Sequence, residues 1–247
     1  MSQSIQRAAD ILEFISIHPR TPSQVAEHLK VHRSTALRML QTLADSGLAR
    51  RRQDGLYGVG YRLTGLANLA REQFDLASLA KPELAALGQR CSHTIHLAEL
   101  QSRSIVYVDK FEQPGMVRLY SQIGQPVLLH TAGVSKAILA HQSPAVVEGM
   151  LEGCDFARYT DATITSPEAF RAELEITRER GWAADAGEYE DYVNCIAMPL
   201  RDANGAVVAS VSVTALKARA DLGELQKLLP ELEEVTTSIS KEMGWRP

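Results

Sequence analysis

The sequence predicts an α+β chain with a small helical head and a larger body built on a mostly antiparallel sheet. Three observations lead there. Up to about residue 60, three short amphipathic segments are followed by a basic hairpin. Across residues 61–80 one apolar stripe runs on without an internal breaker after Gly65. Beyond Lys81, period-two segments joined by polar turns alternate with helical stretches, the pattern of helices packed outside a hairpin-joined sheet. The 247 residues are 45% hydrophobic and 23% charged, enough for both parts to bury a core.

Residues 5–18 predict a first helix, with Ala8, Ile11, Leu12 and Ile15 on one face and Pro19 ending it. Thr21-Pro22-Ser23-Gln24 starts a second: Thr21 caps, Pro22 suits the first turn, and Gln24 completes a capping box. Its apolar side is Val25, Ala26 and Leu29, and it ends near Lys30. About three residues later comes RSTALRMLQTLADSG, residues 33–47. Leu37, Leu40 and Leu43 recur at i, i+3 and i+6, with Ala36 and Ala44 beside them. Arg33, Ser34, Thr35, Arg38 and Gln41 take the other side, and Gly47 supplies a stop. Two helices joined by so short a turn form a helix-turn-helix. A helix that packs by leucines and starts with Arg, Ser and Thr suits a major groove, where Arg reads guanine and hydroxyls reach bases or phosphates.

The next stretch, LARRRQDGLYGVG, reads as a hairpin that turns at Asp54-Gly55. Placed after a recognition helix it is a wing, with Arg50, Arg51 and Arg52 against the backbone or in the minor groove. A surface helix and a solvated hairpin account for each piece alone, but not for their order. Charge agrees. The chain carries a net −4, yet eight basic residues face five acidic ones up to Gly60. A basic head on an acidic body is expected if only the head meets phosphate.

Residues 61–80 predict a connecting helix, with Leu63, Leu66, Ala67, Ala70, Phe74 and Ala77 on one side, also suited to pairing two chains. Residues 82–91 predict another helix. Strands are expected at 94–100 and 104–111 around Gln101-Ser102-Arg103, and at 116–121. Helices follow at 134–141, 144–151 and 167–180, then a short strand at 182–184. The clearest strands are 194–200 and 207–214, joined by Asp202-Ala203-Asn204-Gly205. Asp221 opens a last helix with a box to Glu224, running to about Met243. Period two puts Ser210, Ser212 and Thr214 on one face and Val207, Val211 and Val213 on the other. In the strand before, Cys195, Ala197 and Pro199 share a face. A face of small and hydroxyl residues can border a cavity and bond a ligand carboxylate or hydroxyl. The same hydroxyls serve equally well to bond backbone or face water.

Cys91, Cys154 and Cys195 are few, odd in number and far apart, so no disulfide framework is expected and a reducing cytoplasm is. The N-terminus is too polar for a signal peptide, and no apolar run approaches the roughly 18 residues of a membrane span. There is no G-x-S-x-G, Walker A, G-x-G-x-x-G or H-E-x-x-H, so neither an enzyme nor a cofactor is expected. Cys91, His93 and His96 have a metal-like spacing, but a helix end and a strand need not converge, and no metal is expected. His96 reads as a packing histidine. His28 and His32 read as phosphate contacts or exposed side chains, and His130 as a residue that positions a loop or lines a pocket.

In the head, SIQRAADILEFI, SQVAEHLKVHRSTALRMLQTLADSGLARR and YGVGYRL, and in the body TIHLAEL, LLHTAGVSKAILA, TITSPEAFRAELEITRERGWAAD and CIAMPLRDANGAVVASVSV, occur in the order of one known family. Over nearly its whole length the chain resembles the IclR family of bacterial transcription regulators. The resemblance implies a winged helix-turn-helix at 1–60, a linker helix at 61–80 and a GAF-like effector domain at 81–247. It implies dimers, often dimers of dimers, on palindromic double-stranded operators, with a small organic acid or aromatic metabolite as effector. The effector is then expected to alter the spacing of the heads through the linker helix.

Carried over from the family's small-acid binders, the effector site is Gly133 and Val134 before the helix at Lys136, then Asp185, Cys195, Ser212 and Thr214. Backbone N–H groups at that helix start would favour an anion. Thr214 stands where serine is common, Ser135 where glycine is frequent, and Val134 is larger than the usual alanine. Tyr189 and Tyr192 are candidates to line the pocket. Two other readings stay open: a thiol sensor in which Cys195 is oxidised, and a thiol reductase of the GAF-like kind.

Overall fold

The head packs around the leucines of its third helix. In a computed structural model that describes residues 3–73, 75–112 and 119–246, the chain divides into two compact units, Met1–Asp75 and Leu76–Pro247. The first unit holds α1 (Gln3–Ile17), α2 (Pro22–Leu29), α3 (Arg33–Asp45), β1 (Ala49–Arg51), β2 (Tyr57–Val59) and α4 (Arg62–Gln73). Ile11, Ile15, Val25, Ala36 and Leu40 are sealed from solvent, with Leu43 and Tyr57 closing the core.

Local chemistry sets the helix ends. Thr21 Oγ1 accepts the Gln24 N–H at 3.2 Å while the Gln24 side chain accepts the Thr21 N–H at 2.9 Å, a complete capping box. After α3, Gly47 takes φ +76°; its N–H donates to the Ala44 carbonyl, and the Leu48 N–H reaches back to Leu43. Two of the carbonyls left open by the last turn are thereby satisfied, and the chain turns into the wing. Arg20 and Tyr57 exchange backbone hydrogen bonds at 2.9 and 2.8 Å, tying the hairpin to the end of α1.

The single helix expected over 61–80 is two, α4 and α5 (Leu76–Cys91), with Asp75 outside both. Aspartate favours helix starts over interiors. α5 then runs through Pro82, where a separate helix was expected, giving up one intrahelical hydrogen bond.

The second unit is a five-stranded antiparallel sheet: β3 (Thr94–Gln101), β4 (Ser104–Phe111), β5 (Ala183–Asp185), β6 (Val193–Arg201) and β7 (Val207–Leu216), in the order β4-β3-β7-β6-β5. α6 (Gly133–Leu139), α7 (Pro144–Leu151) and α8 (Pro167–Arg180) share one core with one face. α5, α9 (Leu222–Gln226) and α10 (Leu229–Glu242) cover the other. The helix expected from Asp221 to about Met243 is thus interrupted; Pro230 lies in the first turn of α10 and cannot extend a helix from before it. Of the strand expected at 116–121, residues 116–118 lie outside the described residues, and Leu119, Tyr120 and Ser121 are not in a strand.

Val207 is also corrected. Leu200 pairs with Ala209 but Arg201 with Val207, so β7 carries one extra residue there. That bulge reverses the alternation, and Val207 packs in the α6 core while Val211 and Val213 face α5 and α10.

Leu40→Ala should cost the head about 2–5 kcal/mol through the cavity it leaves, and Thr21→Ala about 1 kcal/mol through the lost cap. Urea unfolding of the two variants against the wild type measures both.

Candidate functional site

Arg33, Ser34, Arg38 and Gln41 are exposed on α3, with Thr35 half-buried beside them. Burying Ala36, Leu40 and Leu43 against α1 and α2 leaves that side no other orientation. Arg50, Arg51 and Arg52 are exposed on the wing. Arg50 lies over the Tyr61 ring at 5.4 Å, and Arg52 is partly neutralised by Asp54 at 3.4 Å. His28 is exposed and stacks on Phe14 at 4.1 Å between ring centroids.

In the second unit, sheet register gathers residues far apart in sequence. One cross-strand row runs Asp185, Cys195, Thr214, Thr94; a second runs Ala183, Ala197, Ser212, His96. Both rows point to the side of the sheet that α6 covers. Gly133 begins α6 directly above: a Cβ there would sit 3.0 Å from Cys195 Sγ and 3.5 Å from Ala197 Cβ, so any larger residue would have to push the thiol aside. Between them lies a narrow hollow, partly open to solvent. Gly133, Val134, Asp185, Cys195, Ser212 and Thr214 all border it, as do His96, Tyr107, Tyr120, Ser121 and Tyr189. Tyr192 instead stands half out in solvent, hydrogen-bonded to Glu190 at 2.7 Å.

His96 is the hub of the hollow's polar network. Its Nε2 lies 2.7 Å from Ser121 Oγ, and its Nδ1 lies 3.3 Å from Ser212 Oγ and 3.2 Å from Thr214 Oγ1. Burial, helped by nearby Lys110, drives its pKa down to about 3, so the ring is neutral, one nitrogen donating and the other accepting. Burial likewise pushes the Tyr120 hydroxyl and the Cys195 thiol each up to about 12. A protonated, enclosed thiol is a poor nucleophile, which weighs against Cys195 as an oxidation sensor. Asp185 is raised by burial, against the pull of Lys136. Its Oδ1 accepts the N–H groups of Gly187 and Glu188 at 3.0 and 2.7 Å. Among the described residues no cluster of His, Cys, Asp and Glu could hold a metal ion.

A model of the IclR helix-turn-helix domain matches residues 4–53, and one of the bacterial transcriptional regulator IclR C-terminal region matches residues 69–241. The chain belongs to the IclR family. Its relatives include the HTH-type transcriptional regulator KdgR of Escherichia coli (strain K12), 32% identical over 224 residues that cover 90% of this chain and 85% of KdgR. XynR of the same organism is 29% identical across 98% of each chain. The crystal structure of Thermotoga maritima IclR, 29% identical, superposes over 99% of this chain and 100% of that one with a TM-score of 0.64.

As an IclR-family protein the chain is a DNA-binding transcriptional regulator under the control of a small-molecule effector, with an N-terminal helix-turn-helix and a C-terminal effector domain. The named relatives are HTH-type transcriptional regulators. Among the described residues no helix is long and apolar enough to cross a membrane. Sequence reasoning missed the part His96 plays, because its partners lie 25 to 118 residues away. Tyr107, Tyr120 and Ser121 were missed for the same reason. His130, expected near the loop, is buried against Phe156 and Tyr159 and does not border the hollow.

Because only the neutral imidazole suits this network, the unfolded chain takes up the proton first. Stability drawn from His96 is full above about pH 6.5 and falls on acidification until the folded ring itself ionises near 3. His96→Gln should flatten that part of the acid-unfolding curve, and NMR of the wild type should show one histidine that does not titrate above about pH 4.

Proposed function

We propose that the chain works as a cytoplasmic homo-oligomer, a dimer or a dimer of dimers, on a palindromic operator. α3 enters the major groove with Ser34, Thr35 and Arg38 at base edges and Arg33 and Gln41 at bases or phosphates. Arg50, Arg51 and Arg52 hold the backbone. Arg52 contributes least, since Asp54 competes for it. The effector, a small organic or aromatic acid, occupies the hollow bordered by Gly133, Val134, Asp185, Cys195, Ser212 and Thr214.

What carries this reading is the convergence of those six residues, drawn from four separate segments, on one hollow. The hydroxyls of Ser121, Ser212 and Thr214 are already organised around a neutral imidazole and can turn to donate to a carboxylate or hydroxyl. Tyr107 and Tyr120 add two more hydroxyls, 3.4 Å apart, and flat apolar wall. For the effector to regulate, it must favour one arrangement of the paired heads over another, typically by about 1–3 kcal/mol.

Selection of duplexes from a random pool gives the operator, and on it Arg38→Ala should weaken binding about 10–100-fold while leaving non-specific binding nearly intact. Arg50→Ala should instead lower affinity for all sequences and cut the slope of log affinity against log salt by about one. An Arg38→Ala chain that still selects the same operator would remove α3 from the groove.

A thermal-shift screen of small carboxylic, sugar and aromatic acids should find a ligand that raises the melting temperature by mass action. Ser212→Ala and Asp185→Asn should abolish that shift without changing operator affinity. A shift that survives both moves the effector elsewhere.

A further inference from the structure

The loop between α7 and α8 holds a thiol that the hollow does not use. Cys154 closes the turn after α7, its N–H donating to the Leu151 carbonyl at 2.9 Å. Its Sγ lies 3.7 Å from Nδ1 of His130. Across the ring, Nε2 of His130 lies 3.0 Å from the Ala157 carbonyl oxygen. A carbonyl only accepts, so Nε2 carries the proton and Nδ1 presents its lone pair to the sulfur. The ring is 2% exposed and is held by Phe156 and Tyr159 at 5.3 and 5.9 Å between centroids.

Nucleophile, base and a third group that orients the base are thus all present. The sulfur is also reachable: Cys154 is half-buried and borders an open surface groove with Glu148, Phe156, Thr165 and Arg171. A sealed packing pair would have no such groove. The other thiols differ. Among the described residues neither Cys91 nor Cys195 has a hydrogen bond to an imidazole, and burial raises the pKa of both.

We propose that Cys154 and His130 form a reactive thiol–imidazole pair at which hydroperoxides and other small electrophiles modify the chain. His130 Nδ1 takes the thiol proton, and the thiolate attacks the terminal oxygen of the hydroperoxide. The S–O bond forms as the O–O bond breaks, and the departing alkoxide, or hydroxide, takes the proton from His130. The sulfur is oxidised by two electrons to a sulfenic acid, and the peroxide is reduced to an alcohol or water.

The pair is chemically independent of the hollow but adjoins its wall. His130 lies three residues before Gly133, and Ser135 Oγ bonds the carbonyls of Leu129 and Ala132 at 2.5 and 2.7 Å.

The intact chain tests this with iodoacetamide at pH 7 and site-resolved mass spectrometry. Cys154 should be alkylated about tenfold faster than half-buried Cys91. With hydrogen peroxide, dimedone should trap a sulfenic acid at Cys154. His130→Gln keeps a donor for the Ala157 carbonyl but offers no base; it should slow Cys154 about tenfold and leave Cys91 unchanged. Equal rates at the two thiols, no dimedone adduct, or a Cys154 rate indifferent to His130→Gln would overturn the proposal. If that variant does not fold, the wild-type chain alone decides. Cys154 must then outpace Cys91 toward iodoacetamide and give the dimedone adduct in the wild type, and failure of either refutes the pair.

Discussion

Lys136 has no exposed surface, and its ammonium meets Glu188 at 2.5 Å. Two charges have left water together, so each depends on the other; removing one partner of such a pair costs about 3–5 kcal/mol. The pair joins α6 to the loop after β5. Burial outweighs the pull of Lys136 and raises Glu188 to about 7. The backbone around it is held from several sides: Thr163 Oγ1 donates to the Glu188 carbonyl at 2.6 Å, Thr160 Oγ1 to Gly187 at 2.7 Å, and Asp185 accepts two N–H groups of the same turn. With α6 and this turn fixed to each other, Gly133, Asp185 and Tyr189 acquire definite positions, and a hollow between them can have a definite shape. The hollow proposed for the effector is thus framed by an electrostatic bond that does not itself border it.

The two units divide the work by chemistry. In the head, the apolar core consumes the leucine face of α3 and leaves Arg, Ser, Thr and Gln in water, where they cost little to hold and are free to exchange water for phosphate and base edges. In the effector unit the polar groups are turned inward. Hydroxyls and a neutral imidazole satisfy one another around a small space, so a ligand that enters must replace those hydrogen bonds with equally good ones. Such a site selects by hydrogen-bond pattern, since a molecule lacking the right donors and acceptors leaves buried groups unpaired.

Reading the chain alone went furthest where structure is local. The capping box at Thr21 and Gln24, the stop at Gly47, the turn at Asp54-Gly55 and the alternation of Ser210, Ser212 and Thr214 depend on neighbours within a few residues, and each is present. The misses are places where a non-local or backbone effect intervened. Two helices, α4 and α5, share a stretch whose apolar stripe ran on, Pro230 divided the last helix, and one extra residue opposite Arg201 turned Val207 to the other face.

What the sequence determined by itself is therefore the head, the exposed polar side of α3, the antiparallel character of the body and, with the family resemblance, six residues that border one hollow. Helical and period-two patterns are properties of consecutive residues, and the family motifs are contiguous. Tertiary structure decided what surrounds those six. His96 meets Ser121 and Thr214, Lys136 meets Glu188, and Cys154 meets His130 only because strand register and helix packing bring them together. The protonation states follow from that step as well, since a side chain's charge depends on how much water folding removes from around it.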